Sequence, residues 1–198
     1  MCLCVSSKVS ATYSAALTAR EELKEREIIV VDTLNLSMGQ GFMALAAADA
    51  ARAGATPAET VASALEAGRC MHTYALLPTL KYLALSGRVG KLVAGMADTF
   101  NIMPILTVKE GKLDLLERIR TRKKAMERML QLVHSAVGGK RVERAAIIHV
   151  NHAEGARELA ELLCAGLPCP RDMITAEFTP GLSVHAGTGV VGVVLQTS

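Results

Sequence analysis

Three glycines close the chain in the order Gly187-x-Gly189-x-x-Gly192, the spacing of dinucleotide-binding loops. Two residues before the first stands His185, the only ionisable side chain among the last sixteen residues. A dinucleotide loop needs a strand before it and a helix after it, whose N-terminus holds the pyrophosphate. Here Gly192 is followed by Val-Val-Leu-Gln-Thr-Ser, a strand-like sequence, so that chemistry is excluded. The glycines instead permit a tight turn with positive φ and a close backbone approach. The pattern sets His185 in a loop with Ser183 and Thr188, between two apolar strands. Either it is an exposed loop histidine, or it makes an anion or proton contact beside converging backbone N–H groups.

A second constellation is Ser6-Ser7-x-x-Ser10-x-Thr12, dense in hydroxyls at a strand-to-helix junction. Those hydroxyls suit an N-cap for the helix that begins near Thr12. They equally suit an anion site, because orphan N–H groups and the helix dipole favour negative charge there. A third is the basic run Arg118-x-Arg120-x-Arg122-Lys123-Lys124 with Arg128, read as a solvated helix face, as a nucleic-acid patch lacking aromatic support, or as a docking surface for an acidic partner or phosphate. His149-x-x-His152 with Glu154 has metal-ligand types but mixed periodicity at a strand end. Asp32 and Asp98 are single carboxylates in different segments. Gly-x-Ser-x-Gly, the P-loop and HExxH are absent, and no nucleophile–base pair can be assembled.

The elements that must place these residues follow from periodicity. Leu3-Cys4-Val5 reads as a strand, 13–26 as a helix, and Ile28–Val31 as an apolar β-branched strand covered on both faces. A helix over 39–53 closes at Gly54. Thr56-Pro57-Ala58-Glu59 combines an N-cap, Pro at N1 and Glu at N3, and opens a helix to about Ala67. This β-α-β-α-α order has parallel-sheet character. Beyond Cys70 the pattern changes: short helices over 76–85 and 89–99, a strand over 102–108 read as an edge or bulge because it contains Pro104, and a turn at Glu110-Gly111 into a hairpin strand. A basic helix over 121–137, a strand over 145–150, a helix over 154–165 and strands over 174–178 and 190–196 complete the chain. The expected fold is a partial parallel α/β domain over residues 1–70, followed over 71–198 by an α+β domain with a mixed sheet and flanking helices.

The chain has 198 residues, 51% of them hydrophobic but only 3% aromatic, so its core is built from Ala, Val, Leu, Ile and Met. With three Phe, three Tyr and no Trp it has little with which to stack nucleobases. A net charge of +3 does not by itself imply nucleic-acid binding. Its five Cys form no CxxC pair, which points to reduced thiols in a reducing compartment. No signal peptide or transmembrane stretch is visible, and a cytoplasmic protein is expected.

Taken in order, several segments resemble the DegV family of bacterial fatty-acid-binding proteins. Ser6-Ser7-Lys8-Val9-Ser10-Ala11-Thr12-Tyr13 resembles that family's Ser-Ser-x-Leu-Ser-Gly-Thr-Tyr segment. Val31-Asp32-Thr33 with Ser37-Met38-Gly39-Gln40-Gly41 is similar to its Asp-Ser…Ser-x-Gly-x-Gly. Leu80-Lys81-Tyr82-Leu83-x-x-Ser86-Gly87-Arg88-Val89 resembles Leu-x-Tyr-Leu-x-x-Gly-Gly-Arg-Ile. Phe100-Asn101-Ile102-Met103-Pro104-Ile105-Leu106 resembles Leu-Asn-Ile-Lys-Pro-Ile-Leu. Arg120-x-x-Lys123-Lys124-Ala125 and His185-x-Gly187-x-Gly189 complete six motifs across nearly the whole chain. Ala11, Ser86, Met103 and Thr188 depart from the family pattern.

The resemblance implies a non-catalytic, two-domain protein without cofactor that encloses one long-chain fatty acid between its domains. It would present the carboxylate to a separate fatty-acid kinase, which makes the acyl phosphate for phospholipid synthesis. By position, Ser10 and His185, with Thr12 and Gly187, would bind the carboxylate. Arg88 would lie near the domain junction, and Arg120, Arg122 and Lys123 would face the kinase. Burying a long acyl tail at about 0.8 kcal/mol per CH₂ contributes roughly 10 kcal/mol before binding costs. The resemblance further implies a version lacking about eighty N-terminal residues, with strand edges that favour dimerisation. The contrasting expectation is a ligand-free interaction or regulatory domain acting through the basic 118–128 surface.

Overall fold

The structure, a computed structural model, describes residues 1–88 and 102–198. The chain divides into two compact units, one of Met1–Met71 with Lys109–Lys112 and the other of His72–Val108 with Leu113–Ser198.

In the first unit, β1 (Cys2–Cys4) and β2 (Val30–Asp32) pair in parallel, with Cys2 opposite Val30 and Cys4 opposite Asp32. The crossover between them carries α1 (Thr12–Glu21). The sequence predicts a longer helix there, to Arg26. It stops early because α1 buries no residue, so nothing holds the charged stretch Glu22–Glu27 against the sheet. Two further helices follow, α2 (Ser37–Arg52) and α3 (Pro57–Arg69). Thr56 accepts from Glu59 N while Glu59 accepts from Thr56 N, the expected reciprocal cap. Met43, Ala47 and Ala64 form the buried centre, with Leu3 and Met71 packed against it.

The second unit holds a six-stranded sheet in the order β5-β4-β3-β8-β6-β7. The strands are β3 (Met71–Leu76), β4 (Met103–Lys109), β5 (Lys112–Ile119), β6 (Val142–His149), β7 (Ile174–Glu177) and β8 (Val191–Thr197). β6 runs parallel to β7 and antiparallel to β8, and β3 antiparallel to β4, so the sheet is mixed as expected. Among the described residues four helices accompany it: α4 (Lys81–Leu85), α5 (Arg122–Val137), α6 (Ala153–Gly166) and α7 (Pro180–Ala186). Met126, Met129 and Val133 of α5 and Leu159 and Leu163 of α6 bury against Ile105, Ile147, Val193 and Leu195. A second cluster gathers Leu77, Leu83, Leu106, Val150, Ala186 and Val190, bringing α4 and α7 together.

Four expectations change. β3 occupies a stretch to which the sequence assigns no element, and the helix expected over 76–85 begins only at Lys81; α3 runs through Gly68 and passes into β3 through Cys70 alone. β4 is no edge strand, since β5 and β3 flank it. Pro104 is tolerated because it lies at the strand's entry, where its carbonyl still accepts from Leu77 N (3.1 Å). Cys164 and Cys169 are joined as a disulfide, leaving Cys2, Cys4 and Cys70 free. The chain leaves α6 just after Cys164 and doubles back, giving a Cα–Cα distance of 5.3 Å that suits the bond. His185 lies in α7 rather than in an open loop. The predicted helix over 89–99, with Asp98, falls outside the described residues. Among the described residues no helix is long and apolar enough to cross a membrane.

Candidate functional site

In the first unit the hydroxyl-rich junction is a polar lattice. Ser6, fully buried, donates to the carbonyl of Gly111 (2.7 Å) and accepts from Lys8 N (3.2 Å). Ser10 N bonds the carbonyl of Ser6, closing one turn. Ser10 Oγ accepts from Thr12 N (3.2 Å) and lies 2.8 Å from Thr12 Oγ1. The formal N-cap residue of α1 is Ala11, which has no capping side chain, and the first turn holds no acidic residue. Ser10 and Thr12 thus sit paired at a positive helix end, where the field favours an anion.

The carboxylate that organises this junction was readable only as a lone acid. Asp32 Oδ1, at the end of β2, accepts from Ser7 N and from Leu34 N, both at 3.1 Å. The second bond is an Asx-turn, the habit of an Asp two residues before a turn, and was the available signal. Thr33 Oγ1 adds a bond to the carbonyl of Cys4 (2.8 Å).

In the second unit, α7 starts at Thr179-Pro180 and ends one residue after His185. Gly187 follows with φ 79° and ψ 169°, a conformation essentially confined to glycine. Gly189 also has positive φ, and its N–H bonds the carbonyl of Val150 (2.8 Å). His185 is half-buried, and its Nδ1 is buried without a hydrogen-bond partner. An imidazole nitrogen removed from water and left unbonded is costly, so a ligand atom there would relieve it.

The other predicted residues are placed as follows. Arg88 is exposed and donates to the carbonyl of Ser86. Arg120 and Lys123 are exposed. Arg122 turns inward, 3.6 Å from Glu158 and over the first turn of α6, where a Cβ on Gly155 would lie 2.5 Å from its Nη2. Arg128 is held by Glu117 through bonds of 2.7–2.9 Å, and this pairing keeps the Glu117 carboxyl below its ordinary range. The free cations of the basic run are therefore fewer than the sequence implies. His152 N approaches His149 Nδ1 (3.4 Å), yet no group of three or more His, Cys, Asp or Glu among the described residues could hold a metal.

Ser10 and Thr12 lie in the first unit, and His185 with its glycine turn in the second, on a two-unit α/β and α+β chain. A family model described as "Uncharacterised protein, DegV family" matches residues 1–198. The chain belongs to the DegV family. A DegV domain-containing protein of Streptomyces coelicolor is 33% identical over 98% of this chain and 68% of its own length. The crystal structure of a DegV family protein of Corynebacterium glutamicum matches at a TM-score of 0.90 and 30% identity, over 99% of this chain and 74% of that one. A DegV family protein of Thermus thermophilus, whose structure describes its fatty-acid binding, matches at 0.90 and 27% identity, over 98% and 69%.

Proposed function

We propose that this protein binds a long-chain fatty acid, its carboxylate taken by Ser10 and Thr12 of the first unit and His185 of the second. The observation that carries the reading is the buried, unpartnered Nδ1 of His185 beside the Gly187 turn. A carboxylate there accepts a charge-assisted bond from the imidazole N–H, while hydroxyls at the N-terminus of α1 donate to its remaining lone pairs. Fatty-acid binding by the Thermus thermophilus relative supports the same ligand class. The role is binding and presentation, not catalysis.

The bound carboxylate is offered to a partner kinase for acyl-phosphate formation, feeding phospholipid synthesis in the cytoplasm. Exposed Arg120 and Lys123 suit the face of such a phosphate-handling partner, with Arg88 at the junction of the two domains. The test is native mass spectrometry of the purified protein after incubation with palmitate. The reading predicts a one-to-one complex that His185→Ala weakens, and failure of the wild-type chain to retain any fatty acid would refute it. Charge reversal at Arg120 and Lys123 should lower acyl-phosphate formation by a fatty-acid kinase without lowering lipid content. If the wild type never holds lipid but a protein partner is captured by it and lost on that charge reversal, the ligand-free interaction domain is favoured.

A further inference from the structure

Tyr82 stands in the first turn of α4, and the reading above gives it no role. Its ring lies on the backbone of Gly187. A Cβ built on Gly187 would fall 2.3 Å from Tyr82 Cδ2 and 2.6 Å from Cε2, closer than any side chain can approach. Four positions back, Pro78 does the same to Gly189, whose Cβ would lie 2.9 Å from the Pro78 Cγ. The segment from Pro78 to Tyr82 is thus laid along the turn that ends α7. Beneath it, Leu83 and Ala186 share one buried cluster with Val190. α7 has only seven residues and no side-chain cap at its N-terminus, so it has little stability of its own. What fixes the His185 backbone is the turn at its C-terminal end, and what covers that turn is an aromatic ring.

We propose that Tyr82 is a positioning residue for His185. Its ring seats on Gly187, fixes the end of α7, and so holds the imidazole in the orientation presented to a ligand carboxylate. The inference rests on the carboxylate role given to His185 above. The contact is made by ring carbons, so the flat ring matters and the phenol hydroxyl does not. Gly187 is required twice, for its φ of 79° and for the space the ring occupies.

The experiment measures palmitate affinity of the full chain for the wild type, Tyr82→Phe, Tyr82→Leu and His185→Ala, with imidazole nitrogen NMR of His185 in each. Tyr82→Phe should bind as the wild type does, with unchanged His185 resonances. Tyr82→Leu keeps apolar volume but loses the flat ring. It should weaken binding roughly tenfold, a change of about 1.4 kcal/mol, and shift or broaden the His185 signals at a preserved thermal midpoint. If Tyr82→Leu unfolds the chain, Tyr82→Met supplies the same comparison. Wild-type affinity and unmoved His185 signals in the leucine or methionine variant would overturn the inference while leaving the fatty-acid reading intact. Equal weakening by the phenylalanine variant would overturn it too, since the hydroxyl would then carry the effect. A wild type that binds no palmitate defeats the fatty-acid reading itself, whereas the His185 signals judge the positioning claim separately.

Discussion

The two units hold their candidate ligand groups by opposite means. In the unit of Met1–Met71 with Lys109–Lys112, the sheet has two three-residue strands and α1 buries nothing. Two strands alone are marginal in water. The Ser10–Thr12 pair is placed there by hydrogen bonds, from Ser6 to Gly111, from Ser7 N to Asp32 and from Thr33 to Cys4. In the unit of His72–Val108 with Leu113–Ser198, six strands and long apolar side chains form a dense core, and His185 is placed by packing on Gly187 and Gly189. The first arrangement fails when a polar partner is removed. The second fails when shape changes.

This contrast can be broken or sharpened by substitution. Leu159→Ala opens a cavity in the fully buried interface of α6 and should cost about 2–5 kcal/mol in chemical denaturation, the largest effect expected. A loss below 1 kcal/mol would mean that this core is not close-packed. Gly111→Ala should come next, at about 2 kcal/mol, because the residue has φ 79° and a new Cβ would meet Ser6 Oγ at 2.5 Å. Hydrogen exchange should locate that damage in the Ser6–Thr12 segment and leave β6 and β8 protected. Thr56→Ala removes the cap of α3 and should cost about 1 kcal/mol, read as a small drop in thermal midpoint.

The smallest effects are in pH dependence. Arg128 holds Glu117 ionised below its ordinary range, so the pair's contribution is complete above the unfolded carboxylate value and is lost as pH falls through the folded one. Arg128→Gln should return the Glu117 titration, followed by carboxyl NMR, to the ordinary range. His72 is shifted down by burial and then by Lys140, so the folded state resists its protonation. Stability should therefore fall as pH drops below the ordinary histidine value, and Lys140→Gln should soften that fall. Added salt should shrink the Glu117 shift and the Lys140 contribution to the His72 shift, but not the part that burial sets.

What could be read from residues alone follows the same divide. The cap at Thr56-Pro57 was legible because Glu59 completed it, whereas Thr179-Pro180 has Leu182 at the equivalent position and gave no such signal. His185 was therefore read as lying in a loop, although its chemistry and its glycine turn were visible. β8 was legible from its unbroken apolar run, while β3, with His72, Thr73 and Tyr74 among its six residues, carried neither alternation nor punctuation. Ser10 and Thr12 were found because hydroxyls cluster locally. The partners that hold the loop, Asp32 and Gly111, are 25 and 105 residues from the serines they bond, and local pattern does not reach that far. The Tyr82 ring over Gly187 is likewise a tertiary contact with no signature in either segment.

The most direct test of the account is the titration of palmitate, isotope-labelled at its carboxyl carbon, bound to the wild type, Ser10→Ala and His185→Ala. Hydrogen bonds from Ser10, Thr12 and His185 should hold the bound carboxylate ionised below its ordinary range in the wild type. Each substitution should weaken binding and raise the carboxylate's titration point, His185→Ala the more strongly. A bound carboxyl that titrates identically in all three proteins would contradict the assignment.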